Sequence, residues 1–305
     1  MLLSGLNRKV KNVFSRNGLF WLINYFMITI CSWKVFPIKW QLRIKYRCAI
    51  GEPLNLICPK GFNEKLSWIK IYDHNPLYTK LVDKYEVKNY VAKLIGEEYV
   101  VPCYGVWNSF DGIDFDKLPD QFVLKATHDS SGIVICKDKN LFDFKSAKIV
   151  IDNSLKTDYF LKGFEWPYKD VPRRVLADMF LSDNSRVELQ DYKWWCFGGE
   201  PKVMYITNKG KYQQCEENFY DMDFVPLDIN HGFPRTKPEY KKPAQFEKMR
   251  ELASVLSQGM RFVRVDFFVV SGKIYFGEFT FFDHAGLRPF ANNGWDEKLG
   301  SWIEL

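Results

Sequence analysis

The residues best equipped for chemistry stand near the C-terminus, as Arg264-Val-Asp266 and Glu278-Phe-Thr280. Two carboxylates and a hydroxyl are hard oxygen donors of the kind that Mg²⁺ takes, with phosphate oxygens completing its shell. The donors matter only if they meet. Val263, Val265, Phe267 and Val269 are the odd positions of one run, and Tyr275, Gly277, Phe279 and Phe281 those of the next. Strand side chains alternate faces. Two paired strands sharing that apolar face leave Arg264, Asp266, Glu278 and Thr280 on the other. A three-residue loop, Val270-Ser271-Gly272, is expected, with Gly272 at positive φ. It sets Glu278 opposite Arg264 and diagonal to Asp266. A two-residue loop would split the even positions between the faces. The competing reading is a salt-bridged or solvated strand face.

A second constellation lies around Lys125, at the end of a β-rich run over 121–126. The polar loop Thr127-His128-Asp129-Ser130-Ser131-Gly132 follows, then a return strand over 133–137. Backbone N–H groups at Ser130, Ser131 and Gly132 suit phosphate oxygens, and Lys125 supplies a point charge. The spacing is not that of a P-loop, and Ser/Gly loops often join strands with no ligand. Asp191 and Lys193 share one face of a strand over 187–196, where an ordinary exposed pair is the alternative. Asp221-Met-Asp223 has the D-x-D form of metal-dependent glycosyltransferases. No Ser-His-Asp or Cys-His arrangement stands out. With four His, none in a pair spacing, a histidine-rich metal centre is not expected. The seven Cys contain no C-x-x-C, which speaks against a zinc site or disulfide framework and for a reduced, cytoplasmic chain.

The elements that must position these groups are a mixture. Helices are expected over 63–72, where Asn63 caps, over 80–94, ended by Gly96, over 141–160 and over 244–256. Strands are expected over 99–106, 121–126, 133–137, 175–181, 187–196 and 203–208, with an irregular, proline-bearing connection over 225–243. Helices among strand pairs indicate an α+β fold. Basic residues crowd the N-terminal region, from Arg8 to Arg47, while later segments mix both signs, and the net charge is only +6. That distribution fits an acidic or membrane surface as partner of residues 17–47 and not a nucleic-acid groove. Residues 17–33 carry no charge and read as a buried amphipathic helix, a peripheral membrane contact or a short span. An aromatic content of 17% points to a large aromatic core.

Taken in order, these motifs resemble the ATP-grasp superfamily. Asp83-Lys-Tyr85 stands ahead of the nucleotide region, and Leu124-Lys125 to Gly132 looks like the glycine-containing hairpin over the phosphates. Val175-Leu-Ala-Asp178-Met-Phe180 looks like the hinge strand against adenine. Asp191-Tyr-Lys193, Arg264-Val-Asp266 and Glu278-Phe-Thr280 match the strands that reach phosphate and metal. Phe62-Asn-Glu-Lys65-Leu-Ser-Trp68 and Gly277-Glu278-Phe-Thr280-Phe are similar to the TupA-like branch, associated with polysaccharide and teichuronopeptide synthesis. Thr280 stands where the superfamily usually has Asn, and Asp178 where it usually has Glu.

The resemblance covers about residues 50–305. It implies a basic, aromatic helical segment over 1–58 and an ATP-grasp domain over 59–305, split into a phosphate-covering part (121–176) and a metal-bearing part (177–305). It further implies ATP and Mg²⁺ as cofactors, Asp266, Glu278 and Thr280 as metal ligands, and Lys125, Ser130, Ser131, Gly132, Asp178, Phe180, Asp191 and Lys193 at the nucleotide. Arg264 and Lys193 would act on the transferring phosphoryl group. His284 and Arg288, in the loop after the hairpin, read equally as facing the substrate carboxylate or as ordinary loop residues. The implied activity joins an amino acid or amine to an acidic sugar through an acyl phosphate. The rivals are a glycosyltransferase using Asp221 and Asp223, and an assembly protein with a degenerate ATP site. The implied place is the cytoplasm, or the inner face of the membrane.

Overall fold

The computed structural model describes residues 36–182, 189–209, 215–236, 239–291 and 293–305. The uncharged stretch 17–33 lies outside the described residues. Among the described residues no helix is long and apolar enough to cross a membrane.

Strands β1 (Cys103–Trp107), β2 (Phe122–Ala126), β3 (Ile133–Cys136) and β4 (Val175–Met179) form an antiparallel sheet in the order β1-β4-β2-β3. Strands β5 (Asp191–Phe197), β6 (Glu200–Lys209), β7 (Cys215–Tyr220), β8 (Pro226–Leu227), β9 (Phe262–Val270) and β10 (Lys273–Thr280) form a second, in the order β10-β9-β5-β6-β7-β8. Every pairing is antiparallel. Helices α1 (Ile38–Ile50), α2 (Phe62–Tyr72), α3 (Leu77–Val82) and α4 (Glu86–Ile95) precede the first sheet. Helices α5 (Phe144–Lys156) and α6 (Phe160–Gly163) lie between β3 and β4, α7 (Phe246–Leu256) precedes β9, and α8 (Asn293–Ser301) closes the chain. Antiparallel sheets with separate helices make this an α+β fold.

The aromatic content resides largely in the core of the larger sheet. Trp194, Trp195, Phe219, Phe267 and Phe279 are buried there with Phe62 of α2 and Phe246 of α7. The smaller sheet packs Phe122, Leu124, Val175 and Ala177 against Ala147 and Ile151 of α5. Leu42 and Tyr46 of α1 share a third cluster with Phe160 and Phe164.

Three local readings change. The helix expected over 80–94 is two helices, because Asp83 interrupts it. Its carboxylate accepts N–H bonds from Tyr85 (2.8 Å) and Glu86 (3.3 Å), and this local bond outcompetes the helical one. Asn63 is not a cap. Glu64 reaches back to the N–H groups of Lys60 and Gly61, while the Asn63 amide donates to Asp296 (2.9 Å) and to the Arg288 carbonyl (3.0 Å). Strand β7 and helix α8 carry no periodicity strong enough to have been expected.

The turn between β9 and β10 is the third. Lys273 pairs with Val270, so the loop has two residues, Ser271 and Gly272, with φ of 49° and 82°. Both φ values are positive, as a type I′ hairpin turn requires. Such a turn alone would place Glu278 across the sheet from Asp266. The register shifts between Phe276 and Phe279, after which Phe279 pairs with Val265 and Thr280 with Arg264. Gly277 and Glu278 thus oppose the single residue Asp266, a β-bulge. The extra residue cancels the short turn and returns Glu278 to the side of Asp266. A Cβ on Gly277 would lie 3.1 Å from the Asp266 carbonyl oxygen and 3.1 Å from the Phe268 ring. Gly277→Val is therefore expected to lower stability by about 1–3 kcal/mol and to weaken Mg-ATP binding, read by urea unfolding and calorimetry. Unchanged values in both would contradict the crowding.

Candidate active site

A cavity of about 890 Å³ is lined from both sheets. Val87, Val101, Val123, Met179, Phe180 and Leu181 give it apolar wall, and Lys84, Lys125, Asp191, Lys193, Asp266 and Glu278 give it charge. An apolar slot beside converging charges is the usual form of a small-molecule site.

On the smaller sheet, Asp178 is buried, and its carboxylate is held by Lys125 (2.9 Å) and Lys88 (2.9 Å). Lys88 projects from α4 and also donates to the Val101 carbonyl. In the 127–132 loop, Asp129 organises the backbone. Its carboxylate accepts the N–H groups of Ser131 (2.9 Å) and Gly132 (2.8 Å) and the hydroxyl of Ser154 (2.6 Å). Burial opposes its charge, yet those hydrogen bonds hold it below the usual carboxylate range. Two of the three N–H groups expected at phosphate thus point to Asp129. Ser130 lines the cavity and donates to the Tyr159 hydroxyl (2.8 Å), whereas Ser131 and Gly132 do not line it. Lys84 reaches the Asp129 carbonyl. Burial lowers its pKa, against the pull of Glu278.

On the larger sheet, Asp191, Lys193 and Asp266 sit side by side because β5 pairs with β9, with Lys193 opposite Asp266. The Lys193 ammonium lies 2.7 Å from Asp266 and 3.4 Å from Asp191. Burial works against its charge, but Asp266 and Asp191 raise its pKa overall. The Arg264 guanidinium is buried among acids. Its Nε and Nη2 grip Asp266 in a bidentate pair (2.7 Å each), Nη2 also donates to Glu278 (3.0 Å), and Nη1 donates to Asp283 (2.5 Å) and the Tyr205 hydroxyl (3.5 Å). All its N–H groups are engaged, and it does not line the cavity. Arg264 clamps the acids instead of pointing at the open space. Thr280 lies off the cavity too, its hydroxyl 3.5 Å from Glu278.

Asp266 and Glu278 are brought to one cavity and one guanidinium, all oxygen donors, with Glu278 still 42% exposed at its side chain. That donor set fits Mg²⁺. The Asp221 carboxylate, by contrast, accepts the N–H groups of Asp223 (3.0 Å) and Val225 (2.8 Å) in the turn after β7. Asp221-Met-Asp223 is turn chemistry, away from the cavity lining.

Behind Arg264, beside His284 and Arg288, lie the buried groups Asp283, His231, Lys70 and Glu165, for which the sequence offered no motif. Asp283 is fully buried; burial opposes its charge, while His284, Arg264 and His231 hold its pKa low. Burial pushes the His231 imidazole down to about 4. His284 approaches Glu217 (3.9 Å). Arg288 donates to the His231 carbonyl (3.1 Å) and lies over the Phe233 ring. Lys70 of α2 donates to the carbonyls of Gly163 (2.7 Å) and Ala285 (2.5 Å). Burial lowers Lys70 to about 8 and raises the neighbouring Glu165 to about 7.

The pair Lys70 and Glu165 sets a pH dependence of stability. Between pH 4.5 and 7 the unfolded chain has released the Glu165 proton and the folded chain keeps it, so stability falls as pH rises. Between pH 8 and 10.5 the unfolded chain keeps the Lys70 proton that the folded chain has lost, so stability rises. Glu165→Gln is expected to flatten the lower leg in urea midpoints measured from pH 5 to 7; an unaltered slope would exclude Glu165 as its source.

No curated protein matches the chain. Similar solved structures include D-alanine–D-alanine ligase from Helicobacter pylori, at 15% identity over 80% of this chain and 69% of that one, with a TM-score of 0.43. The ATP complex of D-alanine–D-alanine ligase from Bacillus anthracis matches at 15% identity over 72% of this chain and 56% of that one, with a TM-score of 0.37. A RimK domain ATP-grasp protein from Sphaerobacter thermophilus matches at 10% identity over 74% of this chain and 69% of that one, with a TM-score of 0.41. The chain spans little more than half the length of the Bacillus protein. Residues 64–304 match the family described as TupA-like ATPgrasp. The chain belongs to the TupA-like ATP-grasp family.

Proposed function

We propose that the protein activates a carboxylate with Mg-ATP and joins it to an amine, the carboxylate belonging to a uronic-acid-type sugar in cell-surface polysaccharide synthesis. The observation that carries this reading is the bulge at Gly277 and Glu278, which turns two carboxylates into one cavity with apolar wall. The apolar lining near Phe180 and Met179 takes the adenine, and Asp178 with its two lysines stands beside it. Lys125 and Lys193 hold phosphate oxygens, exchanging part of their present carboxylate contacts for them. Asp266 and Glu278 would hold Mg²⁺, which supplies charge neutralisation at the phosphates; Thr280 stands behind Glu278. Arg264 is a positioning residue in this scheme, since it fixes the angle of both acids.

The substrate carboxylate oxygen bonds to the γ-phosphorus as the bond to ADP breaks. The amine nitrogen then bonds to the acyl carbon, phosphate leaves with the C–O electron pair, and the amine proton goes to solvent or a base. Such chemistry needs placement and charge compensation more than a nucleophilic side chain. We place the reaction in the cytoplasm. Helix α1 and the residues ahead of it expose Phe36, Ile38 and Trp40 among basic residues, which supports contact with an acidic membrane surface.

The test is the full-length protein with Mg-ATP, a panel of uronic acids and a panel of amino acids, read for ADP, phosphate and the mass of an amide. Consumption of a sugar nucleotide without ADP release would replace this reading with a glycosyltransferase. No ATP binding by calorimetry, with or without Mg²⁺, would replace it with a non-catalytic assembly protein.

A further inference from the structure

Behind the Arg264 clamp, three chain segments bring His231, Asp283, His284 and Glu217 together. One potential ligand atom from each of His231, Asp283 and His284 lies within 4.8 Å of the others. Neither ring nitrogen of His231 has a hydrogen-bond partner of normal geometry, nor has Asp283 Oδ2 or Glu217 Oε2, and all four atoms are buried. A neutral imidazole always carries one N–H and one acceptor nitrogen. Leaving such a group buried and unmatched is unfavourable. The His231 ring is only 1% exposed and is fixed by stacking on Phe290 at 4.4 Å and by the edge of Trp195 at 5.9 Å, so it does not turn to water. His284 and Ala285 hold φ of 44° and 57°. Non-glycine residues keep such a conformation only where their surroundings enforce it, and these places are often functional.

The character of the unmatched atoms selects the occupant. Two carboxylate oxygens repel an anion, so the acceptor's carboxylate does not fit among them. Atoms this deeply covered leave no room for an organic amine. Two imidazoles with one carboxylate are a ligand set suited to a divalent transition metal and not to Mg²⁺. We infer that His231, Asp283 and His284 form a second metal site, for Zn²⁺ or a similar ion, distinct from the Asp266 and Glu278 site.

Asp283 offers Oδ2, because Oδ1 is taken by Arg264. His284 would coordinate through Nδ1, which leaves Nε2, 3.9 Å from Glu217, to close onto that carboxylate, the pairing that orients metal-bound imidazoles. His231 Nδ1 and Asp283 Oδ2 are 4.0 Å apart. Tetrahedral ligands with bonds of about 2.0–2.1 Å stand about 3.4 Å apart, so this pair closes by a fraction of an ångström, and the pairs with His284, within 4.8 Å, close by about 1.4 Å at most. The positive charge of Arg264 and Arg288 nearby opposes a dication, and Asp283 with Glu217 offsets it. His284, 28% exposed at its side chain, gives the ion a way in. The ion would pin the strained turn that follows Thr280, one carboxylate away from the Arg264 clamp.

The site does not depend on the reaction assigned above. Full-length protein stripped with a chelator, loaded with Zn²⁺ and dialysed into metal-free buffer is expected to retain about one zinc per chain, by elemental mass spectrometry. His231→Ala and His284→Ala should each fall to background, while Glu278→Gln keeps the ion, so this result and the Mg-ATP reading fail separately. If a variant does not fold, zinc absorption spectroscopy on the wild-type protein decides: nitrogen and oxygen neighbours at about 2.0–2.1 Å with imidazole scattering support the site, and a sulfur shell at about 2.3 Å assigns the zinc to cysteines and overturns it. A wild-type protein that retains no zinc leaves the cluster as a water-filled pocket and also overturns it, as does zinc retained by the His231→Ala/His284→Ala double variant.

Discussion

Glu278→Gln is expected to lower Mg-ATP turnover by about 10³-fold or more, measured as ADP release at saturating carboxylate and amine. The substitution removes one charge from the pair that meets at the cavity and keeps the shape of the side chain. A loss of that size corresponds to about 4 kcal/mol of transition-state stabilisation, the scale of charge compensation that a bound cation supplies. Folding should be little affected, because the Glu278 side chain is 42% exposed and only one of its contacts is to Arg264. Calorimetry should show ATP affinity becoming insensitive to Mg²⁺. A Glu278→Gln protein with wild-type turnover would remove Glu278 from the metal site.

The second large effect concerns stability. Arg264→Met is expected to destabilise the protein by about 3–5 kcal/mol, read from urea midpoints at neutral pH. The replacement matches much of the volume, so packing is not the main loss. It strands Asp283, with no exposed side-chain surface, and leaves Asp266, at 4%, to Lys193 alone. Removing one partner of a buried pair leaves the other charge desolvated and unmatched. Arg264→Lys keeps the charge but loses the planar fork that serves Asp266 with two bonds, and should fall between the two proteins. A loss below about 1 kcal/mol for Arg264→Met would mean that water already reaches these carboxylates.

How far the chain discloses its own structure depends on the range of the interaction. Alternation over 262–281 was enough to pair β9 with β10 and to select Asp266 and Glu278 as neighbours. It was not enough for the turn, because a three-residue loop and a two-residue loop with a bulge leave the same parity. Asp178 and Lys125 were legible through motif, whereas Lys88, which completes their ion pair, stands on a helix face that reads as ordinary surface. Asp83 broke a predicted helix because a carboxylate can bond its own backbone two residues on, a choice that hydrophobic period does not register. The cluster of His231 with Asp283 and His284 was invisible for the opposite reason. Asp283 and His284 are neighbours in the chain, but His231 meets them only through the folding of the larger sheet, so no spacing rule applied, and four scattered histidines looked like too few for a metal centre.

Gly277 separates two properties of Glu278 that hairpins usually tie together: the side of the sheet on which it emerges, and the angle at which it does so. Excising Gly277 would leave an unbroken ladder with Glu278 directly across from Asp266, so the side would be conserved. What would vanish is the local wrench that an inserted residue imposes on a strand. The shortened protein would therefore report how tightly aim, as opposed to mere adjacency, governs the grip of these acids on a cation.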